Sequence, residues 1–305
     1  MVFSFAANGS ELTTLAFQSV GSSQQISATL IKPVGEGPFP AMVIMHDCSR
    51  LGLRSSGAPL RWAQELVSQG YVVMIPDSFM PRGFSDGVCT VPGNQAKVAN
   101  GFVRAADAYG ALIAIRKLSY VDGTHIGIMG GSHGGWTALA AMCASIHEKD
   151  PLAEAKRDGF TAAVALYPNC GARYGEWSTV RQNKDFGPVI SHSGMYRPIA
   201  PVLILIGEKD DWTPAEDCRQ MVEVGRKAGF PLDIVIYSGA YHSFDSDSPV
   251  RYNALRTNIS SASGKGATTG GNSAAWSDAK KQVASFFARY LKSRRDDGRG
   301  HVGDN

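Results

Sequence analysis

The feature that most constrains the fold of this chain is a series of short runs made almost entirely of apolar residues. A strand with one solvated face alternates apolar and polar residues, so unbroken runs are typical of strands buried on both faces of a parallel sheet. Six such runs occur, at 41–46, 71–76, 125–130, 162–168, 201–207 and 232–239. Residues 26–33 alternate instead, as a half-buried strand does, and we expect 12–20 to pair with them as a hairpin.

Longer stretches of helical character separate these runs. We expect helices at about 58–69, 97–118, 133–146, 214–228 and 275–292. In the third, four residues at helical spacing predict one face packed on the sheet: Ala138, Leu139, Met142 and Ile146. Strand–helix repetition predicts an α/β fold, with a mostly parallel sheet of about eight strands and helices on both faces. We expect residues 1–293 to form one domain and 294–305 a disordered tail.

The composition is globular and disfavours two classes of partner. The 305 residues are 44% hydrophobic, which is ample material for a core. Lys and Arg number 30 against 27 Asp and Glu, and the charges are interspersed. The basic cluster of Lys292, Arg294 and Arg295 is interpreted as a solvated helix end, so we expect no nucleic-acid partner. No apolar run approaches the roughly 20 residues of a membrane span, so we expect no membrane insertion.

The stretch IGIMGGSHGGWTAL (126–139) joins a strand end, a cluster of glycines and a helix start. Its GGSHG segment fits G-x-S-x-G, the nucleophile elbow, in which a strained turn needs small neighbours and holds the serine hydroxyl above the sheet. The helix start directs backbone N–H groups at the same space, which favours developing negative charge there. The pentapeptide arises by chance in Gly-rich chains, but its position between strand and helix favours a catalytic Ser132, with the N–H of His133 as an oxyanion donor.

A serine hydroxyl needs a base, and His242 is the best placed of the seven histidines. It follows the last strand, in GAYHSFD, whereas His133 adjoins Ser132 on a turn where neighbouring side chains diverge. The acid that orients the imidazole is expected in GEKDDWTP, after the preceding strand, where either Asp210 or Asp211 fits. Ser…Asp…His, each after the C-terminal end of a strand, is the chain order of α/β-hydrolases.

From about residue 26 to 292 the chain resembles the dienelactone hydrolase family of α/β-hydrolases. The motifs that carry the resemblance are HDCSRLG (46–52), DSFMPRG (77–83), GGSHGG (130–135), YPNCG (167–171), GEKDDWTP (207–214) and YHSFD (241–245). The resemblance implies an α/β-hydrolase fold and makes Asp210 the acid. It also implies that the backbone N–H of Cys48 is the second oxyanion donor, and Asp47 beside it is expected to organise the site by hydrogen bonding.

Two departures separate this chain from the type enzymes of that family. Those enzymes carry a cysteine nucleophile where this chain has Ser132, and they hold a substrate carboxylate with arginines. One of those arginines resembles Arg82, but the position four after His242 is Ser246. The resemblance is closer to the serine-bearing branch, many of whose members are exported. For Arg82, a bidentate contact with a substrate carboxylate and an ordinary surface contact both stay open.

Further residues near these motifs are candidates for the substrate pocket. Five aromatic side chains are expected either to wall an acyl or aromatic group or to pack in the core: Phe79, Trp136, Tyr167, Trp212 and Phe244. The long segments 171–200 and 246–275 follow the C-terminal ends of strands, where open α/β sheets bind ligands. We expect both segments at the rim of the active site.

The five cysteines are odd in number, so at least one is unpaired within a monomer. Cys170 and Cys218 follow adjacent strands at one sheet edge and are candidates for a disulfide, while Cys143 on an apolar helix is expected to be a buried thiol. A Cys170–Cys218 bond would favour a periplasmic or secreted protein. Otherwise a cytoplasmic location is expected, because MVFSFAANGS lacks the basic region of a signal peptide, although a signal removed earlier would leave no trace.

Together these features predict a hydrolase of small-molecule carboxylic esters or lactones that acts through an acyl-enzyme, without metal or organic cofactor. The same three residues would also serve an acyltransferase or a peptidase. A non-catalytic receptor for a small ligand on the same fold is the alternative of another class, and an intact Ser–His–Asp set disfavours it. The sequence does not specify the oligomeric state.

Overall fold

A computed structural model describes residues 10–52, 55–145, 150–184 and 187–292. Its strands are β1 (Glu11–Gln18), β2 (Gln25–Lys32), β3 (Phe39–Met45), β4 (Val72–Pro76), β5 (Val121–Gly131), β6 (Ala162–Leu166), β7 (Ser178–Lys184), β8 (Gly187–Ser193), β9 (Val202–Gly207), β10 (Leu232–Tyr237), β11 (Arg251–Thr257) and β12 (Lys265–Thr269). Eight of these strands form one sheet, in the order β1-β2-β4-β3-β5-β6-β9-β10.

The central sheet is parallel except at one strand. β2 runs antiparallel to both of its neighbours, β1 and β4, and every other pairing in the sheet is parallel. Every residue of β4, β6 and β9 is buried, as their unbroken apolar composition requires. The predicted mostly parallel sheet of about eight strands is confirmed.

Six α-helices accompany these strands in the described part of the chain: α1 (Ala58–Ser68), α2 (Gly101–Arg116), α3 (His133–Met142), α4 (Ala153–Arg157), α5 (Ala215–Lys227) and α6 (Ser273–Leu291). A Cβ on Gly130 of β5 would meet Gly134 of α3, whereas a Cβ on Gly127 would meet Leu291 of α6. Residues an odd number apart in a strand face opposite sides, so α3 and α6 cover opposite faces of the sheet. Helices on both faces were predicted.

Two helix boundaries differ from the prediction, the first for a local reason and the second for a tertiary one. The stretch predicted as one helix over 97–118 begins as a 3-10 helix, Ala96–Ala99, and α2 starts only after Asn100. The Asn100 side chain accepts the N–H groups of the first turn of α2 at 2.9 and 3.0 Å, which makes it the N-cap. The third helix ends at Met142 rather than at 146, because Cys143 turns extended and forms a bridge with Pro198. Ile146 lies outside the described residues.

The two long segments each contain a hairpin, β7–β8 within 171–200 and β11–β12 within 246–275. Their strands mix polar and apolar residues and lack the longer apolar runs of the central sheet, so periodicity did not reveal them. The tail predicted to be disordered, 294–305, lies outside the described residues. Within the described ranges, no helix combines the length and the apolar character needed to cross a membrane.

Candidate active site

Ser132 lies in the turn between β5 and α3, in a backbone conformation that few residues other than glycine adopt. Its φ is 55° and its ψ is −116°, and such strained conformations cost about 1–3 kcal/mol. The neighbouring residues have no room for side chains. A Cβ on Gly134 would overlap the carbonyl oxygen of Met45, and one on Gly131 would lie 2.6 Å from the Tyr167 hydroxyl. The turn therefore requires the glycines around Ser132.

The Ser132 hydroxyl meets the imidazole of His242, which follows β10. His242 Nε2 lies 2.8 Å from Ser132 Oγ, and His242 Nδ1 lies 2.7 Å from Oδ2 of Asp210, in the turn after β9. Because a carboxylate only accepts hydrogen bonds, Nδ1–H donates to Asp210, and Nε2 accepts from the serine hydroxyl. The three residues, 0–9% exposed, form a buried hydrogen-bonded relay at the C-terminal edge of the parallel strands.

The carboxylate of Asp210 is held from several directions. Its Oδ1 accepts the backbone N–H groups of Trp212 and Thr213 at 3.0 and 2.8 Å, and its Oδ2 also lies 3.0 Å from Thr213 Oγ1. The alternative acid, Asp211, instead accepts from the N–H and hydroxyl of Thr268 on β12, at 2.8 and 2.7 Å. Asp210, the acid that the family resemblance implied, is therefore the one that contacts His242.

Two aromatic rings confine the imidazole of His242. The Tyr167 ring centroid lies 4.7 Å from it and the Trp212 centroid 4.8 Å. Tyr167 is itself fixed, because its hydroxyl donates to the buried carboxyl of Asp245 at 2.7 Å, and Trp62 Nε1 donates to the other oxygen at 2.8 Å. Burial raises the pKa of Asp245. These contacts restrict the rotation of the His242 ring.

A buried guanidinium lies behind the turn that carries Ser132. Arg104 of α2 places one terminal nitrogen 2.7 Å from Nδ1 of His133 and donates from the other to the carbonyl of His46 at 2.7 Å. Burial lowers the pKa of Arg104 to about 9, and burial together with the Arg104 charge lowers the pKa of His133 well below its ordinary value. His133 is therefore neutral near pH 7, and because Nδ1 accepts from Arg104, its hydrogen is on Nε2.

Two cavities meet at Ser132. The polar chamber has a volume of about 170 Å³, and its distinguishing residues include Asp47, Ser49, Ser55, Ser56, His242, Ser246, Ser248, Arg251 and Arg256. The apolar chamber has a volume of about 210 Å³, and its distinguishing residues include Val88, Val91, Ala96, His133, Trp136 and Ile259. Both are lined by Ser132, Trp212, Cys48 and Cys89.

A disulfide forms the wall between the chambers. Cys48 is bonded to Cys89, with the two Cα atoms 4.9 Å apart, and the Cys48 carbonyl also accepts the N–H of Val88 at 2.7 Å. This bond was not predicted, because the positions of the five cysteines in the sequence give no sign that Cys48 pairs with Cys89. The predicted approach of Cys170 and Cys218 is confirmed: they form a second disulfide with a Cα separation of 5.0 Å. Cys143 is a free, buried thiol, as predicted.

Three of the predicted substrate contacts lie at the chambers. Trp212 lines both, Trp136 the apolar one and Asp47 the polar one. As predicted, Asp47 organises its surroundings by hydrogen bonding: Oδ1 accepts the N–H and hydroxyl of Ser49 at 2.7 and 2.5 Å, and Oδ2 accepts the hydroxyl of Ser56.

The structure corrects two other predicted contacts, Arg82 and Phe79, which line neither chamber. Arg82 forms a bidentate ion pair with the buried Asp107 of α2, at 2.8 and 2.9 Å. The charge of the Arg82 guanidinium is therefore already neutralised inside the protein. Phe79 is fully buried and packs against the rings of His46 and His133. An arginine in a loop motif carries no local sign of a buried partner 25 residues away.

The two long segments differ in their relation to the site. The segment 246–275 lines both chambers, through Arg251 and Arg256 on one side and Ile259 on the other. None of the described residues of 171–200 lines either chamber. Its hairpin is instead tied to α5, where Asp217 contacts His192 at 2.9 Å and Arg181. Only the later segment therefore borders the described cavities. Across the described ranges, no three His, Cys, Asp or Glu side chains are grouped to hold a metal ion.

Comparisons with known proteins identify the family and the fold. The sequence pattern of the dienelactone hydrolase family matches residues 26–291. A Yersinia pestis protein named "Putative carboxymethylenebutenolidase" is 26% identical over 234 residues, which cover 75% of this chain and 78% of the relative. Apo esterase 2 of Thermogutta terrifontis superposes with a TM-score of 0.58 at 16% identity, covering 96% of this chain and all of the other. The metagenomic dienelactone hydrolase-like phosphotriesterase P91 superposes with a TM-score of 0.58 at 15% identity, covering 92% of this chain and 99% of the other.

Proposed function

Because the chain belongs to the dienelactone hydrolase family of hydrolases, we propose that it cleaves carboxylic esters or lactones through an acyl-enzyme on Ser132. The observation that carries the proposal is the relay, in which 2.8 Å separates Ser132 from His242 and 2.7 Å separates His242 from Asp210. A serine that is only structural needs neither a strained backbone nor a base oriented by a buried acid. The relay also lies at the junction of two cavities that can receive a substrate.

In the proposed mechanism, Ser132 Oγ attacks the carbonyl carbon while His242 Nε2 takes its proton. Asp210 retains the Nδ1 hydrogen bond, which holds the imidazole in the required tautomer and stabilises the imidazolium. The imidazolium then gives its proton to the leaving alkoxide, and the acyl group remains on the serine. In the second half of the cycle, His242 takes a proton from water, which attacks the acyl carbon. The imidazolium then returns that proton to Ser132 Oγ as the bond to the serine breaks and the acid leaves.

We propose that the backbone N–H groups of His133 and Cys48 receive the oxyanion. His133 is the first residue of α3, so its N–H has no partner within the helix. Arg104 supports this role by holding the His133 side chain, and the Cys48–Cys89 bond supports it by anchoring the second donor. Donors fixed in advance stabilise the transition state without reorganisation, and one such donor is worth about 10²–10³ in kcat.

Other readings of the same residues are less well supported. A non-catalytic receptor gains nothing from the strained Ser132 turn or from a fully oriented imidazole. An acyltransferase or a peptidase would use the same relay but needs a second substrate site or a peptide groove. The two described chambers are small, and one is polar, which favours a small ester with water as the acceptor.

We also propose that the protein works in an oxidising compartment. The structure contains two disulfides, and disulfides persist mainly in exported proteins. Thiol titration of denatured, unreduced protein from its native compartment is expected to give one thiol per chain, that of Cys143. Five thiols would overturn the assignment.

The test of the mechanism is Ser132→Ala, with Ser68→Ala, an exposed serine on α1, as the matched control. Turnover of 4-nitrophenyl acetate is expected to fall by about 10⁴-fold or more in the first variant and to be unchanged in the second. A fluorophosphonate probe is expected to label the wild type and Ser68→Ala but not Ser132→Ala. Substantial turnover by folded Ser132→Ala would exclude the serine as the nucleophile.

A further inference from the structure

Ser132 lies between the polar chamber and the apolar chamber. An ester whose scissile bond lies at Ser132 therefore places one of its sides in polar surroundings and the other in apolar surroundings. Resting on the proposed ester hydrolysis, we infer that the substrate is an amphipathic ester. Its anionic group lies in the polar chamber and its apolar group in the apolar chamber, and Arg256 is the residue that selects for the anion. Neither the family motifs nor the predicted contact at Arg82 assigns this role to the β11–β12 hairpin.

Arg256 is held in the polar chamber without a direct ion pair to a described carboxylate. Its guanidinium lies over the Trp212 ring, 4.9 Å from the centroid, and Nη1 lies 3.8 Å from Cys48 Sγ. Its Nε–H is buried and has no hydrogen-bond partner among the described residues, and no carboxylate of those residues forms an ion pair with it. Burial lowers the pKa of Arg256, and the charge of Asp47 offsets only part of this cost of holding the guanidinium away from water. A bound anion would offset that cost.

The rest of the polar chamber is compatible with an anion. Arg251 lines it as a second cation, against a single carboxylate, Asp47. Asp47 has both oxygens occupied by Ser49 and Ser56, and among the described residues it forms no ion pair with either arginine. Two guanidinium groups against one carboxylate leave a net positive charge, and the lining serine hydroxyls add hydrogen-bond donors.

The apolar chamber excludes the charged end of such a substrate. It contains no arginine, lysine, aspartate or glutamate among its described lining residues, and its wall is largely aliphatic and aromatic: Val88, Val91, Ala96, Trp136 and Ile259. Placing a carboxylate there would cost its hydration without a countercharge. The two walls therefore orient an amphipathic ester in one direction across Ser132.

The experiment compares esters that differ only in charge. One pair carries the charge on the acyl side, phenyl hydrogen adipate against phenyl adipamate. The other carries it on the leaving group, 4-carboxyphenyl hexanoate against 4-carbamoylphenyl hexanoate. We expect the wild type to prefer the anionic member of at least one pair by about 10- to 100-fold in kcat/KM, the range of a charge-assisted contact. Arg256→Gln is expected to abolish that ratio and Arg256→Lys to retain part of it, since lysine keeps the charge but loses the planar fork.

Arg219→Gln, on the exposed face of α5, is the matched control and is expected to leave the ratio unchanged. The preference of the wild type is expected to decrease as ionic strength rises. Equal kcat/KM values within both pairs, or a preference that survives Arg256→Gln, would overturn the inference. Ser132→Ala tests the proposed function separately. If this variant loses all turnover, the proposed function stands whatever the result for Arg256, and if it keeps activity, the proposed function is rejected.

Discussion

The two disulfides allow stability to be separated from activity, because they close loops of nearly equal length. Cys48 and Cys89 are 41 residues apart, and Cys170 and Cys218 are 48 apart. Loop-closure entropy gives about 4 kcal/mol for either bond. With an unfolding entropy of about 2.1 cal/mol/K per residue over the 305 residues, loss of either bond is expected to lower Tm by roughly 6 °C.

Activity should distinguish the two bonds. Cys48 and Cys89 line both chambers, and Cys48 carries one of the two proposed oxyanion donors. Neither Cys170 nor Cys218 lines a chamber. We therefore expect the double variant Cys48→Ala/Cys89→Ala to lose at least about tenfold in kcat, part of the 10²–10³ that one oxyanion donor is worth. Cys170→Ala/Cys218→Ala should keep its kcat within about twofold.

Both double variants are measured by thermal unfolding and by 4-nitrophenyl acetate turnover at a temperature at least 15 °C below the lower Tm. Under these conditions a loss of kcat reports on the site rather than on unfolded protein. Similar Tm shifts with a selective loss of kcat in the Cys48–Cys89 variant would support the assignment. Equal kcat in the two variants would refute the view that this bond positions an oxyanion donor.

Two further predictions concern proton positions. Asp210→Asn is expected to lower kcat by about 10⁴-fold, because the amide favours the wrong imidazole tautomer. The control Asp211→Asn should keep its kcat within about tenfold of the wild type. Steady-state kinetics of both variants checks this, and comparable losses of kcat would contradict it. Burial holds the pKa values of His46 and His133 well below their ordinary 6.5, so the unfolded chain binds protons below pH 6.5 that the folded chain does not. The free energy of unfolding should therefore decline as the pH falls below 6.5, by up to about 1.4 kcal/mol per pH unit for each histidine. Urea unfolding between pH 7 and 5.5 should give a shallower decline for His133→Asn, and an identical decline would contradict this assignment.

The support around the relay is organised in layers that come from different parts of the chain. Asp210 is oriented by the backbone of the two residues that follow it closely, Trp212 and Thr213. The ring of Tyr167 confines the imidazole and is anchored in turn by Asp245. Contacts of this kind reduce the freedom of His242 before any substrate binds, which is how a preorganised site lowers its barrier.

Much of this protein followed from local sequence patterns. Unbroken apolar runs predicted six of the eight strands of the central sheet, since burial on both faces excludes polar side chains, and alternation predicted β2 with β1 as its hairpin partner. The glycines around Ser132 predicted the strained turn because only residues without a Cβ fit beside it. Chain order placed His242 and the neighbouring aspartates at strand ends, where a parallel sheet gathers its C-terminal residues. These features depend on backbone sterics and on periodicity, and a stretch of a few residues determines both.

The tertiary structure decided which side chains face the substrate. Arg82 and Arg256 are both arginines in polar segments, yet the first is neutralised by Asp107 and the second stacks on Trp212 at the edge of a chamber. The pairing of Cys48 with Cys89 likewise depends on a partner from elsewhere in the chain. Contacts between residues distant in sequence arise only when the packed core brings them together, so no local pattern encodes them.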